Sequence, residues 1–427
     1  MPKLLSSKKP VRHSQRRRLL PKYRGDLHRL QPRTLQPRSL QLETLEARLT
    51  MSAAPHAAAN PLATWFDSHV STLSIRNLGK TDIQDGVLSR SDMMAIFSAV
   101  EKVGAVTATE FSDLKNIVNY AGLFTGVGYV EVLSQDVVIG NTANAHYQGK
   151  ALGNLKAGST VANLTNLVNK WFLGADHPVG KSDWGPTYSY RKVSGQLFVN
   201  GASYTDVQQG GLGDCYFLSA LAETALKNPG AITSMFIING DGTYTVRFMH
   251  GSKAEYVTVD SQLPTDSSGH LVFDGMGHSA TSSSNELWVA LAEKAYVEIN
   301  ECGWIRPASW GGGQNVYTGI SGGAMYMALN QITGAATVAY TSTTSSFDAM
   351  AAAFNAGKSI CFGSKDSPAN TNLVVGDHAY AVVAVNTTTH TVTLFNPWGL
   401  NNGHDSGTVT LSWTQVQANF DWYDRTA

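Results

Sequence analysis

Gln209-Gly-Gly-Leu-Gly-Asp-Cys215-Tyr-Phe-Leu-Ser-Ala-Leu-Ala-Glu-Thr-Ala-Leu-Lys227 is the stretch on which the reading of this chain turns. Glycines ahead of an apolar run force a tight turn, and Asp214 stands where a helix cap would stand. The helix predicted from there stops at Asn228-Pro229-Gly230, with Leu218, Leu221, Ala222 and Ala225 as its buried face. Cys215 falls in the first turn, where the helix dipole and free N–H groups favour a thiolate. Its own backbone N–H suits a developing oxyanion, and the side-chain amide of Gln209, upstream of it, is the candidate second donor. A buried structural cysteine would need neither the glycine-rich approach nor that amide.

A catalytic thiol needs an imidazole, and the imidazole needs a group that fixes its tautomer. Gly376-Asp-His378 opens the strand-like run Ala379–Val385. A five-residue polar turn, Asn386–His390, follows, then Thr391–Phe395, ending in Asn396-Pro-Trp-Gly399. This is a hairpin signature. If Val385 opposes Thr391, then Tyr380 opposes Asn396 and His378 opposes Trp398, all four on one face. His378 and Asn396 become diagonal neighbours, about 7–8 Å apart at the backbone. Asn396 is thus the candidate orienter of His378, and Trp398 the shield over their contact.

The rest of the chain sets bounds on this chemistry. Of 427 residues, 43% are hydrophobic and 15% charged, a globular composition long enough for two or three domains. The net charge is zero but unevenly spread. Residues 1–50 hold thirteen Lys and Arg against three Asp and Glu, a net of +10, which leaves −10 on the remainder. An acidic body argues against a nucleic-acid partner. Three cysteines, Cys215, Cys302 and Cys361, are too few for a disulfide framework and leave at least one thiol free. No run of about 18 apolar residues predicts a transmembrane helix. Leu42 to Ala54 resembles a short N-terminal sorting signature of exported or surface bacterial proteins. The alternative is a disordered basic tail with no address.

An Ala/Pro/Asn linker leads from that segment (1–60) into a helical accessory or prosegment-like domain (61–180). Within it, Gly86-Val-Leu-Ser89-Arg-Ser-Asp92 aligns with Gly104-Ala-Val-Thr107-Ala-Thr-Glu110. Each repeat carries a capping box. Each opens an apolar-periodic run, Met93, Ile96, Phe97, Val100 and then Phe111, Leu114, Ile117, Val118. Asp85-Gly86 resembles the middle of an EF-hand loop, but Thr81 and Ile83 stand at its first and third ligand positions. A helix pair is therefore expected rather than a calcium site. A mixed domain (181–334) carries Cys215, and a β-rich domain (335–427) carries His378 and Asn396.

Together these pieces resemble the protease core of the calpain family. Gln209-Gly-x-Leu-Gly-Asp-Cys215, His378-Ala-Tyr380 and Asn396-Pro-Trp-Gly399 look like its three active-site blocks, in order. Val257–Pro264 and Glu286–Tyr296 look like further family segments. The resemblance runs from about Trp184 to the C-terminus. It implies an α+β, papain-like core of two subdomains, a helical or mixed one with the Cys and a β-rich one with the His and Asn. It further implies hydrolysis of internal peptide bonds of proteins through a thioester acyl-enzyme. Trp398 matches a tryptophan that the family sets beside its catalytic pair.

The resemblance also suggests a bound calcium ion, with no other cofactor. Val199 and Gly201 match the family's carbonyl ligands, and Asp206 and Glu286 its acids. The departures are specific. Tyr216 stands where Trp is usual, Asp377 where Gly is usual, and Tyr204 where an Arg couples calcium to the cleft. Asn402 and Val409 occupy positions that are acidic in the second family site. No C-terminal β-sandwich or EF-hand domain is expected. Two rival functions use the same residues: a calpain-like binding module without activity, and a transglutaminase-like acyl transferase.

Overall fold

The computed structural model of the chain describes residues 60–101, 104–400 and 406–427. The basic segment with its sorting reading, and Asn402, lie outside these residues.

The described chain opens with α1 (Pro61–His69), α2 (Leu73–Asp82), α3 (Arg90–Val100), α4 (Ala108–Val118) and α5 (Gly128–Val138). A short hairpin, β1 (His146–Tyr147) and β2 (Lys150–Ala151), precedes α6 (Val161–Trp171). Both capping boxes form. Ser89 and Asp92 exchange side-chain-to-backbone bonds, and so do Thr107 and Glu110, which satisfies the free donors of α3 and α4. The apolar runs bury as their spacing demands, with only Phe111 half-exposed, and they form a core of their own. Thr81 belongs to α2, and its hydroxyl donates to Asn77 O. Lys170 on α6 ties this body to the rest. It is buried between Asp176 and Glu301, 2.6 Å from the latter.

The next part contains β3 (Gly180–Lys181), β4 (Thr187–Lys192), α7 (Cys215–Lys227) and α8 (Pro229–Thr233). After these come β5 (Phe236–Ile238), β6 (Thr243–His250), β7 (Lys253–Asp260), β8 (Gln262–Thr265), α9 (Trp288–Asn300) and α10 (Met325–Thr333). Two three-stranded sheets, β3-β4-β8 and β5-β6-β7, frame it. The bounds of α7 match the sequence expectation, but the single buried face does not. Every residue from Cys215 to Ala225 is buried. The reason is that α7 packs against β10 and β11 as well as α9 and α10, so no side meets solvent. Phe217 stacks on Tyr296 of α9 at 4.0 Å. Each large apolar side chain buried here contributes about 1.5–3 kcal/mol.

The last part holds β9 (Thr337–Thr341), α11 (Phe347–Asn355), β10 (Ile360–Ser364), β11 (Ala379–Asn386), β12 (Thr391–Phe395), β13 (Thr408–Ser412), α12 (Trp413–Asn419) and β14 (Phe420–Thr426). Its strands form one antiparallel sheet in the order β13-β12-β11-β10-β14-β9. The centre of the sheet, β10 and the first half of β11, is buried on both faces. Cys361, Ala379, Ala381 and Phe395 join the core around α7. Phe362, Tyr380, Val382 and Leu394 pack with Phe347 of α11 and Val416 of α12. The small side chains of Ala379 and Ala381 let α7 approach the sheet closely.

The hairpin register needs one correction. Near the turn Asn386 opposes Thr391 and Val385 opposes Val392, one residue out from the expected pairing. A bulge between Val382 and Ala384 then shifts the ladder, so that Val382 opposes Leu394 and Ala381 opposes Phe395. That is the expected register at the end where His378 and Asn396 lie.

Candidate active site

Cys215 is the first residue of α7 and is 2% exposed. The approach to it is steric in origin. A Cβ on Gly210 would lie 2.2 Å from Phe273 O, so only glycine passes there. Gly211 N–H donates to Val272 O at 2.8 Å, which pins the same segment. Asp214 does not cap with its side chain. Its backbone carbonyl accepts from Phe217 and Leu218, and its carboxyl turns into the protein.

The thiolate-favouring position is outweighed. Burial pushes the Cys215 thiol up to about 12. The backbone N–H groups of Ala379 and Tyr216 pull it down, and Asp214 and Asp377 push it further up. Desolvation exceeds the dipole here because the whole helix is enclosed. Ala379, the residue that follows His378, thus acts on the Cys215 thiol through its backbone N–H.

His378 is fully buried, and its Nε2 lies 2.9 Å from Asn396 Oδ1. An amide oxygen accepts, so Nε2 carries the hydrogen in the neutral ring and Nδ1 is the basic nitrogen. Asn396 Oδ1 also accepts from Trp398 N–H at 3.1 Å. The Trp398 ring is 5.1 Å from the imidazole, and Tyr380 meets it edge-on at the same distance. The backbone under the ring is held twice. His378 N–H donates to Ser364 Oγ, and Ser364 N–H donates to His378 O. Asp377 adopts φ +52, a left-handed conformation that glycine takes without strain. The usual glycine at this position therefore has a conformational cause, and aspartate is among the residues that tolerate its absence.

Gln209 is 4% exposed and close in sequence to the nucleophile turn, but its Nε2 donates to Leu212 O at 2.7 Å. One amide hydrogen is thus committed to the turn, and the second is the one available to an oxyanion. Its backbone N–H donates to Pro397 O, which joins the nucleophile segment to the Asn396–Gly399 block.

Asp206 and Glu286 are near enough for the charge of Asp206 to act on Glu286. Glu286 Oε1 accepts from the N–H of Val199 at 2.7 Å, and Asn200 and Gly201 follow with positive φ. Asp206 Oδ2 accepts from Ser203 N–H and Trp288 Nε1. Burial raises both carboxyls, and Asp206 raises Glu286 further. Each acid keeps an oxygen beyond those bonds. Among the described residues no cluster of three or more His, Cys, Asp or Glu could hold a metal, so backbone oxygens would have to complete the set. Tyr204 packs edge-on against Phe395 at 5.2 Å.

Sequence reading gave no part to Glu293 and Asp274. Both are buried; Asp274 N–H donates to Glu293 Oε2 at 3.1 Å, and burial, with Asp214 and Asp274 behind it, pushes the Glu293 carboxyl well up. The available signal was an acid inside the apolar run Trp288–Asn300.

With this geometry established, comparison with known proteins gives a consistent answer. The model of the calpain family cysteine protease domain matches residues 175–420. Calpain clp-4 of Caenorhabditis elegans is 32% identical over 224 residues, covering 48% of this chain and 28% of that protein. The calpain-type cysteine protease DEK1 of Arabidopsis thaliana is 34% identical, covering 39% of this chain and 7% of that protein. The calpain-2 catalytic subunit of Homo sapiens is 35% identical, covering 33% and 18%. The chain thus spans less than a third of the length of each of these relatives.

Proposed function

We propose a thiol endopeptidase function from one premise: this chain belongs to the calpain family of cysteine proteases. The observation that carries the proposal is the buried His378–Asn396 pair at the start of β11, the strand packed against α7, whose first residue is Cys215. We read residues 181–334 and 335–427 as the two halves of a papain-like core, with substrate entering between α7 and the β11–β12 hairpin.

In the proposed reaction a neutral thiol is the resting state, because burial disfavours the thiolate. Cys215 attacks the carbonyl carbon of a peptide bond while its proton passes to His378 Nδ1. Asn396 holds the opposite nitrogen and so fixes the direction of transfer. The backbone N–H of Cys215 and the second hydrogen of Gln209 Nε2 stabilise the oxyanion. His378 returns the proton to the leaving amine, a thioester remains on Cys215, and water activated by the same imidazole releases the acid. Trp398 keeps bulk water from the His–Asn bond. Unstructured protein segments are the proposed substrates. Calcium, held by Asp206, Glu286 and the carbonyls of Val199 and Gly201, is proposed as a stabilising ion.

The test is incubation with an unfolded protein, with and without a thiol alkylator and a calcium chelator. Cleavage abolished by the alkylator supports the proposal, and alkylator-resistant cleavage removes it.

A further inference from the structure

Arg306 is 4% exposed, and the reaction above gives it no part. Its base is fixed, because the carbonyl of Ile305 accepts from Gln331 Nε2 of α10 at 2.6 Å. Among the described residues the guanidinium donates to neutral oxygens only. Nη1 donates to the Tyr216 hydroxyl at 3.1 Å, and Nη2 donates to the carbonyls of Ser321, at 3.3 Å, and Gly322. The Tyr216 hydroxyl in turn donates to Ile320 O at 3.1 Å. Three successive carbonyls, 320 to 322, are thus held by the tyrosine next to the nucleophile and by a buried cation.

Peptide planarity carries that hold across the segment. Every described peptide bond is trans, so the C=O of Ser321 and the N–H of Gly322 point in opposite directions. With Ser321 O turned to Arg306, Gly322 N–H faces away from it and donates to Gly213 O at 2.8 Å. Gly213 is held at its other end too. Its N–H donates to Asp183 Oδ2 at 2.8 Å, and the same oxygen accepts from Ser321 Oγ at 2.5 Å. The packing is close: a Cβ on Gly213 would lie 2.9 Å from Ser321 Oγ, and one on Gly323 would lie 2.5 Å from the Tyr216 ring. Gly213 stands two residues before Cys215, so the bonds run from Arg306 to the turn that presents the nucleophile. They also explain a departure from the family pattern. The indole of the usual tryptophan at position 216 only donates, so it would leave Arg306 Nη1 without this acceptor.

We propose that Arg306 is a positioning residue that, together with Tyr216, braces the segment 320–323 against Gly213 and so holds Cys215 in its attacking position. A planar fork of donors serves a hydroxyl and two carbonyls at once, which a single ammonium does not. Removing the fork frees the Ser321–Gly322 peptide to turn, and the bond to Gly213 is lost with it. The kinetic consequence rests on the thiol-peptidase reading. The brace itself does not, because amide exchange reads it without any substrate.

The experiment uses the full chain and five proteins: wild type, Tyr216→Phe, Arg306→Lys, Arg306→Met and Tyr216→Phe/Arg306→Met. Amide hydrogen exchange is followed by peptide mass. In Arg306→Met, exchange in peptides spanning 209–217 and 318–325 is expected to rise about tenfold or more, while peptides of β6 and β7 keep wild-type rates. A general loss of stability would instead speed exchange in all of them, and that result overturns the brace. On an unfolded substrate, kcat falls about 10²-fold in Arg306→Met. It falls about tenfold in Arg306→Lys, which keeps the charge without the fork. Because hydroxyl and guanidinium act as one unit, the double variant is no slower than Arg306→Met. Multiplied losses in the double variant, wild-type kcat in Arg306→Met, or unchanged exchange in 209–217 would each overturn the proposal. If Arg306→Met does not fold, Arg306→Lys takes its place in every comparison, with the same local exchange and the tenfold loss expected. Absence of cleavage by every protein, wild type included, with the local exchange as expected, would count against the peptidase reading and in favour of the brace.

Discussion

Nε2 of His378 lies 2.9 Å from Oδ1 of Asn396, and both side chains are sealed from solvent. A polar contact in such a place is strong because no water competes for it. Its removal has two separable consequences. His378→Ala deletes the proposed proton carrier, for an expected loss of about 10²–10⁴-fold. Asn396→Ala keeps the carrier and loses only its aim, so the rate falls by less. The check is kcat/KM for both variants at matched circular dichroism. Equal, complete loss in both would count against distinct roles.

Asp377 offers a backbone test. Its φ of +52 costs any residue with a branched Cβ more than it costs Asp, and glycine nothing. Asp377→Gly is expected to leave stability within about 1 kcal/mol of wild type, and Asp377→Val to cost about 2 kcal/mol or more. Urea midpoints distinguish these outcomes. Equal stability of the Gly and Val variants would remove the conformational reason for the usual glycine.

Acids buried away from the site make stability depend on pH. Asp424 on β14 is pushed up to about 7 by burial, although Tyr326 N–H at the start of α10 opposes the rise. A raised acid contributes stability fully below its unfolded pKa of about 4 and loses it as pH climbs through about 7. Relative to Asp424→Asn, wild type is therefore expected to lose stability between pH 5 and pH 8.5, by at most about 4 kcal/mol. Melting temperatures of both proteins across that range measure it. Parallel curves would mean that Asp424 titrates as an exposed acid does.

Calcium tests the Asp206–Glu286 pair. Binding to the folded state alone raises Tm by mass action, and Glu286→Gln is expected to abolish the rise. With Tyr204 where the coupling Arg is usual, chelator is expected to lower Tm and leave a substantial part of the cleavage rate. All-or-none dependence of cleavage on calcium would show that coupling survives without that Arg.

What the sequence disclosed and what it withheld divide along physical lines. The capping boxes, the bounds of α7 and the pairing at the catalytic end of the hairpin follow from local chemistry, which sits in a few adjacent letters. The bulge after Val382 does not, because it arises from the fit of β11 to its neighbours. The full burial of α7 was hidden for the same reason: a helix enclosed by distant strands reads like a helix with one apolar face. That enclosure is what reverses the expected ionisation of Cys215, since desolvation is a property of the packed molecule. Asp274 and Glu293 meet from distant parts of the chain, and neither letter announces the other. Gln209 was visible as an amide near the nucleophile, but its bond to Leu212 O belongs to the folded turn.

The central claim is that Cys215 is the attacking atom of a protease, and one measurement addresses it directly. Casein is incubated with wild type and with Cys215→Ser, both shown to be folded by circular dichroism, and fragments are followed over time. Ser is nearly isosteric with Cys but far less nucleophilic beside this imidazole, so the fold should persist and cleavage should vanish. Fragments from wild type and none from Cys215→Ser is the expected result. Equal cleavage by both proteins would contradict it, because the nucleophile would then lie elsewhere.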